Sequence, residues 1–309
     1  MFSKGRWIAL AAVSALTGCN TANTHIGDDA AFVGEVLRVR QPMAVMHFAG
    51  SIVVEDSVRD PIRYFENNTV QTLSLIKAWT AAGGGPFIFS STAAVYGMPE
   101  LQPVREDAPK NPMSPYGASK LMSEVMIAAA AAAMPAFRPV CLRYFNVAGA
   151  DPALRTGQRG PQSTHLIRVA IETALGLRER MSVFGTDYDT RDGTCERDFI
   201  HVSDLATAHI AALDYLLAGG APATFNCGYG SGYTVLEVLA ALEALSGKPL
   251  PRDLAPRRPG DPARLIADPT ALRETLAWEP RYADLTVILE TALAWQTGRS
   301  MSLTPTESR

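Results

Sequence analysis

Two neighbouring segments carry most of what the sequence predicts: Phe89-Ser90-Ser91-Thr92-Ala93-Ala94-Val95-Tyr96-Gly97 and Ser114-Pro115-Tyr116-Gly117-Ala118-Ser119-Lys120. The first segment predicts the end of a buried strand, and the Ser-Pro pair predicts a helix start. Tyr116 and Lys120 lie four residues apart, so both side chains share one helix face. A lysine ammonium beside a phenol favours the phenolate, which makes tyrosine a usable base near neutral pH. The hydroxyl of Thr92 can form a hydrogen bond with the substrate oxygen from which this base would take a proton.

The Tyr-x-x-x-Lys pair is weak evidence by itself, because the chain has nine tyrosines and such a pair arises readily by chance. The alternative is a surface tyrosine packed under the aliphatic stem of a lysine. The context favours a functional pair, because the order of strand, Ser/Thr, loop and Tyr-x-x-x-Lys helix recurs in one enzyme superfamily. The three residues suit the removal of a proton from a sugar hydroxyl while a hydride leaves the carbon beneath it.

Composition excludes several classes of protein. The chain has 309 residues, is 47% hydrophobic and carries a net charge of −3 with both signs dispersed. These values fit two domains or one large α/β unit, and they do not suggest nucleic acid or a membrane surface as the main partner. The four cysteines, Cys19, Cys141, Cys195 and Cys227, form no Cys-x-x-Cys pair, which fits reduced thiols and argues against zinc.

Apolar strands alternate with helical stretches from about residue 27, as βαβ units require. The sequence predicts strands at 44–50, 87–91 and 140–146, and helices at 32–39, 69–82, 116–133, 166–178, 202–217 and 235–246. The expected fold class is α/β, a doubly wound parallel (Rossmann-type) sheet with a smaller C-terminal substrate-binding portion. We expect an apolar leader at 1–26, the sheet at 27–148, the substrate portion at 149–300, partly interleaved with the sheet, and a disordered tail at 301–309.

Several longer motifs carry a family resemblance: His47-Phe48-Ala49-Gly50, residues 64–68, the segment from 89 to 97, residues 142–146, residues 197–205, and Ala255-Pro256-Arg257-Arg258-Pro259-Gly260-Asp261. Together they resemble the UDP-glucose 4-epimerases, which are extended short-chain dehydrogenases/reductases. The resemblance runs from about residue 27 to about residue 295.

The resemblance implies a mechanism and its partners. Tyr116 would take the proton of the sugar 4-hydroxyl while C4 passes a hydride to NAD, Lys120 would hold the nicotinamide ribose, and Thr92 would steady the 4-oxygen. The 4-keto sugar would then turn over and take the hydride back, so NAD acts as a bound cofactor. The implied substrates are UDP-glucose and UDP-galactose, with N-acetylated sugars poorer because of Leu265, and the implied assembly is a homodimer.

The resemblance also assigns binding residues one at a time. Those expected to contact NAD are Phe48, Ala49, Gly50, Asn67, Ser90, Ser91, Tyr116, Lys120 and Tyr144. Those expected to contact the nucleotide sugar are Asn146, His165, Leu166, Phe184, Arg197, Arg258, Asp261 and Leu265. The alternatives are a solvated surface charge for each arginine and a simple turn for Asn146. We interpret His165 as a polar group at the nucleotide and not as a metal ligand, so no metal is expected.

One expected feature of the family is missing from the printed sequence, which contains no Gly-x-x-Gly-x-x-Gly turn followed by an acidic residue. That turn lets backbone N–H groups approach the NAD pyrophosphate. We therefore expect an N-terminally truncated sheet with an exposed apolar edge near 44–48, weak NAD retention and a tendency to aggregate. A non-catalytic remnant of an epimerase is the alternative; a 4,6-dehydratase is disfavoured because Ala93 and Ala94, not an acid, follow Thr92.

The first residues carry a separate signal. Lys4 and Arg6 precede the apolar run from Trp7 to Leu16, and Leu16-Thr17-Gly18-Cys19 resembles a lipoprotein cleavage site. An exported protein lipidated at Cys19, and then membrane-anchored, is one interpretation. We favour an apolar leader from a gene rearrangement or a mis-assigned start, and a cytoplasmic location, because the remainder resembles a cytoplasmic cofactor enzyme.

Overall fold

The computed structural model describes residues 30–159 and 164–303. The predicted leader, with Cys19, lies outside the described residues. The first half contains helices α1 (Ala30–Arg40), α2 (Val54–Arg59), α3 (Pro61–Tyr64), α4 (Gln71–Ala81) and α5 (Pro115–Ala133), with strands β1 (Val45–His47), β2 (Gly85–Thr92) and β3 (Phe137–Tyr144). A π-helical turn at Phe65–Val70 joins α3 to α4, and a 3₁₀ turn at Ala93–Val95 follows β2.

The second half contains strands β4 (Asn146–Ala148), β5 (Met181–Phe184), β6 (Glu196–His201), β7 (Ala223–Cys227), β8 (Gly232–Thr234), β9 (Arg252–Ala255) and β10 (Arg264–Leu265), with helices α6 (Leu166–Ala174), α7 (Val202–Leu217), α8 (Val235–Ser246), α9 (Thr270–Leu276) and α10 (Leu285–Leu303). Helix α10 therefore continues into the region predicted as a tail, and residues 304–309 lie outside the described part. No helix among the described residues combines the length and the apolar character needed to span a membrane.

Within residues 30–159 and 164–303, the main sheet has four parallel strands in the order β1-β2-β3-β7. Helices α1, α4 and α5 cover one face, where Leu37, Trp79 and Ile127 are buried with Phe87 and Phe89 of β2. The other face packs on α7, and the larger apolar cluster formed there extends to α6 and α8. Helices on both faces of a parallel sheet confirm the predicted doubly wound α/β fold.

Two smaller sheets belong to the second half. Strand β6 pairs with β4 and β10 in parallel and with β8 antiparallel, and β5 pairs with β9. Strand β7, in contrast, joins the main sheet beside β3. The second half of the sequence thus completes the sheet built by the first half and also forms a separate lobe beside its carboxyl edge.

Strand β1 forms an edge in the part of the chain that the structure describes, because it pairs there with β2 alone. Val45 and His47 are nevertheless buried, and the exposed apolar side chains flank the strand at Met43 and Phe48. The predicted strand at 44–50 is shortened to three residues, since the chain turns away after His47. This turn places Phe48, Ala49 and Gly50 at the carboxyl end of the sheet.

Candidate active site

A cavity of about 480 Å³ lies at the carboxyl ends of β2 and β3, between the main sheet and the second lobe. This is the position at which doubly wound folds bind ligands. Nine of the predicted site residues line it: Thr92, Tyr116, Tyr144, Asn146, His165, Leu166, Arg197, Asp261 and Leu265. The structure therefore brings residues from both halves of the sequence to one cavity.

Tyr116 and Thr92 meet in this cavity as the sequence predicts. Thr92 ends β2, where its Oγ1 accepts a hydrogen bond of 3.2 Å from the backbone N–H of Ala94. Ser114 caps α5 by accepting from the N–H of Gly117 at 3.2 Å, which places Tyr116 in the first turn of the helix. Burial raises the pKa of the Tyr116 phenol, and a hydrogen bond with Thr92 opposes that rise.

Lys120 lies one turn further along α5 and is 3% exposed. Its ammonium donates a hydrogen bond of 2.9 Å to the carbonyl oxygen of Ser90 and lies 4.9 Å from the ring centroid of Phe89. Burial lowers the pKa of Lys120 to about 8, and the charge of Glu124 opposes this shift. The sequence argument placed this ammonium beside the phenol to lower its pKa. The structure differs, because the ammonium bonds a backbone carbonyl and burial dominates the pKa of Tyr116.

Gly50 marks a tight approach between the β1 loop and α5. A Cβ atom at this position would lie 3.1 Å from both Oδ1 of Asn68 and Nζ of Lys120. Asn68 fixes the loop by accepting from the N–H of Ser51 at 2.8 Å and donating to the Ser51 carbonyl at 3.0 Å. The predicted Asn67 is its neighbour and donates to Oγ of Ser51 at 3.1 Å. Gly50 therefore leaves open a small space beside the buried ammonium.

Asn68 is a site-supporting residue that the sequence did not single out. It lies in the π-helical turn Phe65–Val70, and its Nδ2 also donates to Oγ of Ser119 on α5 at 3.0 Å. π-Helical turns are rare and occur often at functional sites. Adjacent asparagines at 67 and 68 were the only available signal, and sequence alone could not show which of them turned inward.

Ser90 and Ser91 point to opposite sides of β2, as consecutive strand residues do. Ser90 donates to the hydroxyl of Tyr144 on β3. Ser91 donates instead to Oε1 of Glu124 at 2.5 Å, on the side of the strand where Glu124 forms a buried ion pair with Arg143 at 2.6 Å. The structure thus places the side chain of Ser90 with Tyr144 and that of Ser91 in a buried ionic network.

The predicted nucleotide-sugar residues form paired groups. Arg197 forms an ion pair with Asp261, and both line the cavity. The guanidinium of Arg258 lies 3.8 Å from the ring centroid of Phe184 and 3.6 Å from a carboxylate oxygen of Glu55. Phe184 and Arg258 therefore contact each other but do not line the cavity.

His165, Leu166 and Asn146 lie where the second lobe meets the sheet. The Nδ1 atom of His165 lies 2.7 Å from the side-chain nitrogen of Gln158, and burial lowers the His165 pKa, with the charge of Arg168 adding to the shift. Leu166 begins α6, and Asn146 begins β4 with an exposed side chain. No group of three or more metal-ligating side chains occurs among residues 30–159 and 164–303.

Comparison with known proteins identifies relatives along most of the chain. Residues 8–228 match the NAD dependent epimerase/dehydratase family. A UDP-glucose 4-epimerase of Azospirillum brasilense is 53% identical over 274 residues, which are 89% of this chain and 78% of the relative. One of Rhizobium meliloti is 47% identical over 266 residues, 86% of this chain and 80% of the relative.

Solved structures give the same result. A UDP-glucose 4-epimerase of Brucella ovis in complex with NAD has a TM-score of 0.83 and 41% identity, covering 86% of this chain and 82% of that one. An enzyme of the same name from Stenotrophomonas maltophila, with bound NAD and formylated UDP-arabinopyranose, has a TM-score of 0.86 and 34% identity, covering 92% of this chain and 90% of that one.

Proposed function

The chain belongs to the NAD dependent epimerase/dehydratase family, and on that premise we propose that it interconverts UDP-glucose and UDP-galactose with NAD as its cofactor. The observation that carries this proposal is the convergence of Tyr116 and Thr92 in one cavity, with the buried ammonium of Lys120 on the next turn of α5. A phenol and a hydroxyl aimed at one substrate oxygen suit proton removal from a secondary alcohol.

The residues present fit the nicotinamide half of NAD. Gly50 leaves space beside the ammonium of Lys120, which bonds the carbonyl of Ser90. The Ser90 hydroxyl bonds Tyr144, and Asn67 bonds Ser51 next to Gly50. These residues, with Phe48 and Ala49, would hold the cofactor. Bound NAD supplies reversible acceptance of a hydride from the sugar carbon.

Tyr116 carries the proton in the proposed reaction. Once ionised, its phenolate oxygen takes the proton of the sugar 4-hydroxyl and later returns it, while Thr92 holds the sugar oxygen by a hydrogen bond. Burial raises the pKa of Tyr116, so the free chain holds the phenol in its protonated form. The positive charge of bound, oxidised NAD would lower the pKa of Tyr116, so proton removal would depend on a site that holds NAD.

The second lobe supplies the charges that suit a nucleotide diphosphate. Arg197 and Arg258 each offer a planar guanidinium that can form paired hydrogen bonds with phosphate oxygens. In the structure they are paired with Asp261 and Glu55, so we propose that the diphosphate takes over these pairings. Leu265 lies beside Arg197 in the β10–β6 pairing and lines the cavity, where it limits the space for the sugar.

We also propose a homodimer. Helices α2, α3 and α4 and the π-helical turn all pack on α5. These elements expose large apolar side chains, each more than 40% accessible: Val58, Ile62, Val70, Leu73, Met122 and Val125. Apolar surface of this kind is typical of protein–protein contacts. Light scattering on the wild type should give twice the mass of one chain, and Val125→Glu should give the mass of a single chain.

We place the protein in the cytoplasm, and the described cysteines support this. Cys141, Cys195 and Cys227 are all free and buried. Proteins of oxidising compartments more often pair their thiols. Lipid labelling that depends on Cys19 would contradict this location, whereas recovery of the protein with cytoplasmic markers after cell fractionation would support it.

The test of the proposed function is conversion of UDP-galactose to UDP-glucose by the purified chain with NAD supplied, followed by chromatography of the nucleotide sugars. Tyr116→Phe serves as the inactive comparison. Tyr215→Phe is its matched control, because Tyr215 packs edge-on against Phe225 and does not line the cavity. Absence of conversion by a folded, NAD-loaded wild type would overturn the proposal.

A further inference from the structure

A hydrogen-bonded chain of three side chains lies beside the cavity, and one of its members has no part in the reaction described above. Ser90 on β2 donates to the hydroxyl of Tyr144 on β3. That hydroxyl lies 2.6 Å from Nε2 of His209, which is on α7 and is 4% exposed. The third member therefore comes from the second half of the sequence, about 65 residues after Tyr144.

The contacts of His209 determine which atoms donate and which accept in this series of hydrogen bonds. Its Nδ1 lies 2.8 Å from the carbonyl oxygen of Leu205, and a carbonyl can only accept, so Nδ1 carries the proton. Burial lowers the pKa of His209 to about 4, so the imidazole is neutral at pH 7. Nε2 is then without a proton and accepts. The hydroxyl of Tyr144 must donate to His209 while it accepts from Ser90.

Packing holds the imidazole in this orientation. The ring of Phe48 lies 4.8 Å from that of His209, and the ring of Tyr144 lies 5.5 Å away on its edge. The Nδ1 bond to Leu205 joins residues four apart within α7. Rotation of the imidazole would break that bond and leave buried polar atoms without partners, which is unfavourable.

Two phenols line the same cavity, Tyr116 and Tyr144. We infer that His209 is a positioning residue for the proposed epimerisation: by accepting the hydroxyl proton of Tyr144, it leaves Tyr116 as the one of these two phenols that exchanges a proton with the substrate. This inference rests on the proposed function. Burial also raises the pKa of Tyr144 well above its ordinary value, so Tyr144 stays a neutral phenol.

The orientation can be tested without any activity. In the ¹⁵N-histidine-labelled chain, the His209 signals are assigned by their loss in His209→Leu. We expect the proton on Nδ1 at pH 7, and we expect Tyr144→Phe to shift the Nε2 resonance because it removes the donor. A proton on Nε2, or an Nε2 resonance that Tyr144→Phe leaves unchanged, would overturn the inference.

The consequence for catalysis is tested by variants of the NAD-supplied enzyme. His209→Leu should lower kcat about 10- to 100-fold, because the freed hydroxyl of Tyr144 then competes with Tyr116 for the substrate proton. KM for UDP-glucose should stay within about twofold, because the residues that bind the substrate are unchanged. His209→Gln should recover part of this loss, since its amide oxygen can accept. In the Tyr144→Phe background, His209→Leu should have no further effect on kcat.

Thr207→Val is the matched control, since Thr207 is also on α7 but bonds the indole of Trp278 at 2.9 Å instead of facing the cavity. Losses that multiply in the double variant, or a folded His209→Gln no better than His209→Leu, would overturn the positioning role. A wild type with the expected histidine spectrum but no turnover would overturn the proposed function and leave the orientation of His209 standing.

Discussion

The ammonium of Lys120 on α5 donates a hydrogen bond of 2.9 Å to the carbonyl oxygen of Ser90 on β2. This bond joins the helix that carries Tyr116 to the strand that ends in Thr92. The same ammonium lies next to the space left by Gly50. One buried cation therefore both fixes the spacing of the two candidate catalytic elements and faces the proposed position of the cofactor.

Lys120→Met should weaken NAD binding about tenfold or more, because hydrogen bonds to charged groups contribute about 1.5–3 kcal/mol each. Calorimetric titration with NAD measures this change. Lys77→Met is the control, since Lys77 is an exposed lysine on α4. Equal NAD affinity in the wild type and in Lys120→Met would show that the ammonium serves only to join the helix to the strand.

Glu124→Gln should destabilise the fold by about 3–5 kcal/mol, because it leaves the buried guanidinium of Arg143 without its counter-charge. The side chains of this ion pair are only 4% and 8% exposed. Urea unfolding measures the effect. Asp56→Asn, which breaks the exposed ion pair with Arg59, should change the free energy of unfolding by less than about 1 kcal/mol. Similar effects of the two variants would contradict the importance of burial.

Acid should destabilise the protein through His47. Burial, together with the charge of Lys120, lowers the His47 pKa from 6.5 to about 3. Between these values the unfolded chain binds a proton that the folded chain does not, so the free energy of unfolding falls as the pH falls from 6.5. The free energy of unfolding of the wild type, taken relative to that of His47→Gln, should therefore be lower at pH 4 than at pH 7. A difference that is constant with pH would contradict the shift.

Leu265→Ala should raise kcat/KM for UDP-N-acetylglucosamine relative to UDP-glucose. A single pocket contact is typically worth about 1–3 kcal/mol of discrimination, so the ratio should change by about 5-fold or more. Ile266→Ala is the matched control, because its side chain lies near Gly232 and does not line the cavity. A wild type that already prefers the N-acetylated sugar would show that Leu265 does not set the limit.

The sequence predicts the local features of the site well. The helix predicted at 116–133 from the Ser-Pro signal is α5, which begins at Pro115, and the strand predicted at 87–91 is β2, which ends at Thr92. Both depend on interactions within a few residues, which sequence patterns report directly. The predicted helix at 202–217 also matches α7 in both of its bounds.

The features that the sequence missed depend on distant contacts. His209 on α7 contacts Tyr144 on β3, and Arg143 on β3 pairs with Glu124 on α5. No local pattern reports such pairs. Alternation along β2 could have separated Ser91 from Ser90 and Thr92, but the family motif treats the three as one run. The direction of the Tyr116 pKa was also beyond the sequence, because burial outweighs a lysine four residues away.

The most direct measurement is the rate at which the purified chain, with NAD supplied, converts UDP-galactose to UDP-glucose in the wild type and in Tyr116→Phe. Loss of a general base typically lowers the rate about 10²- to 10⁴-fold. We predict a loss in this range for Tyr116→Phe with unchanged thermal unfolding, and wild-type rates for Tyr215→Phe. Turnover by a folded Tyr116→Phe variant within about threefold of the wild type would contradict the account, since a removed base cannot leave the rate unchanged.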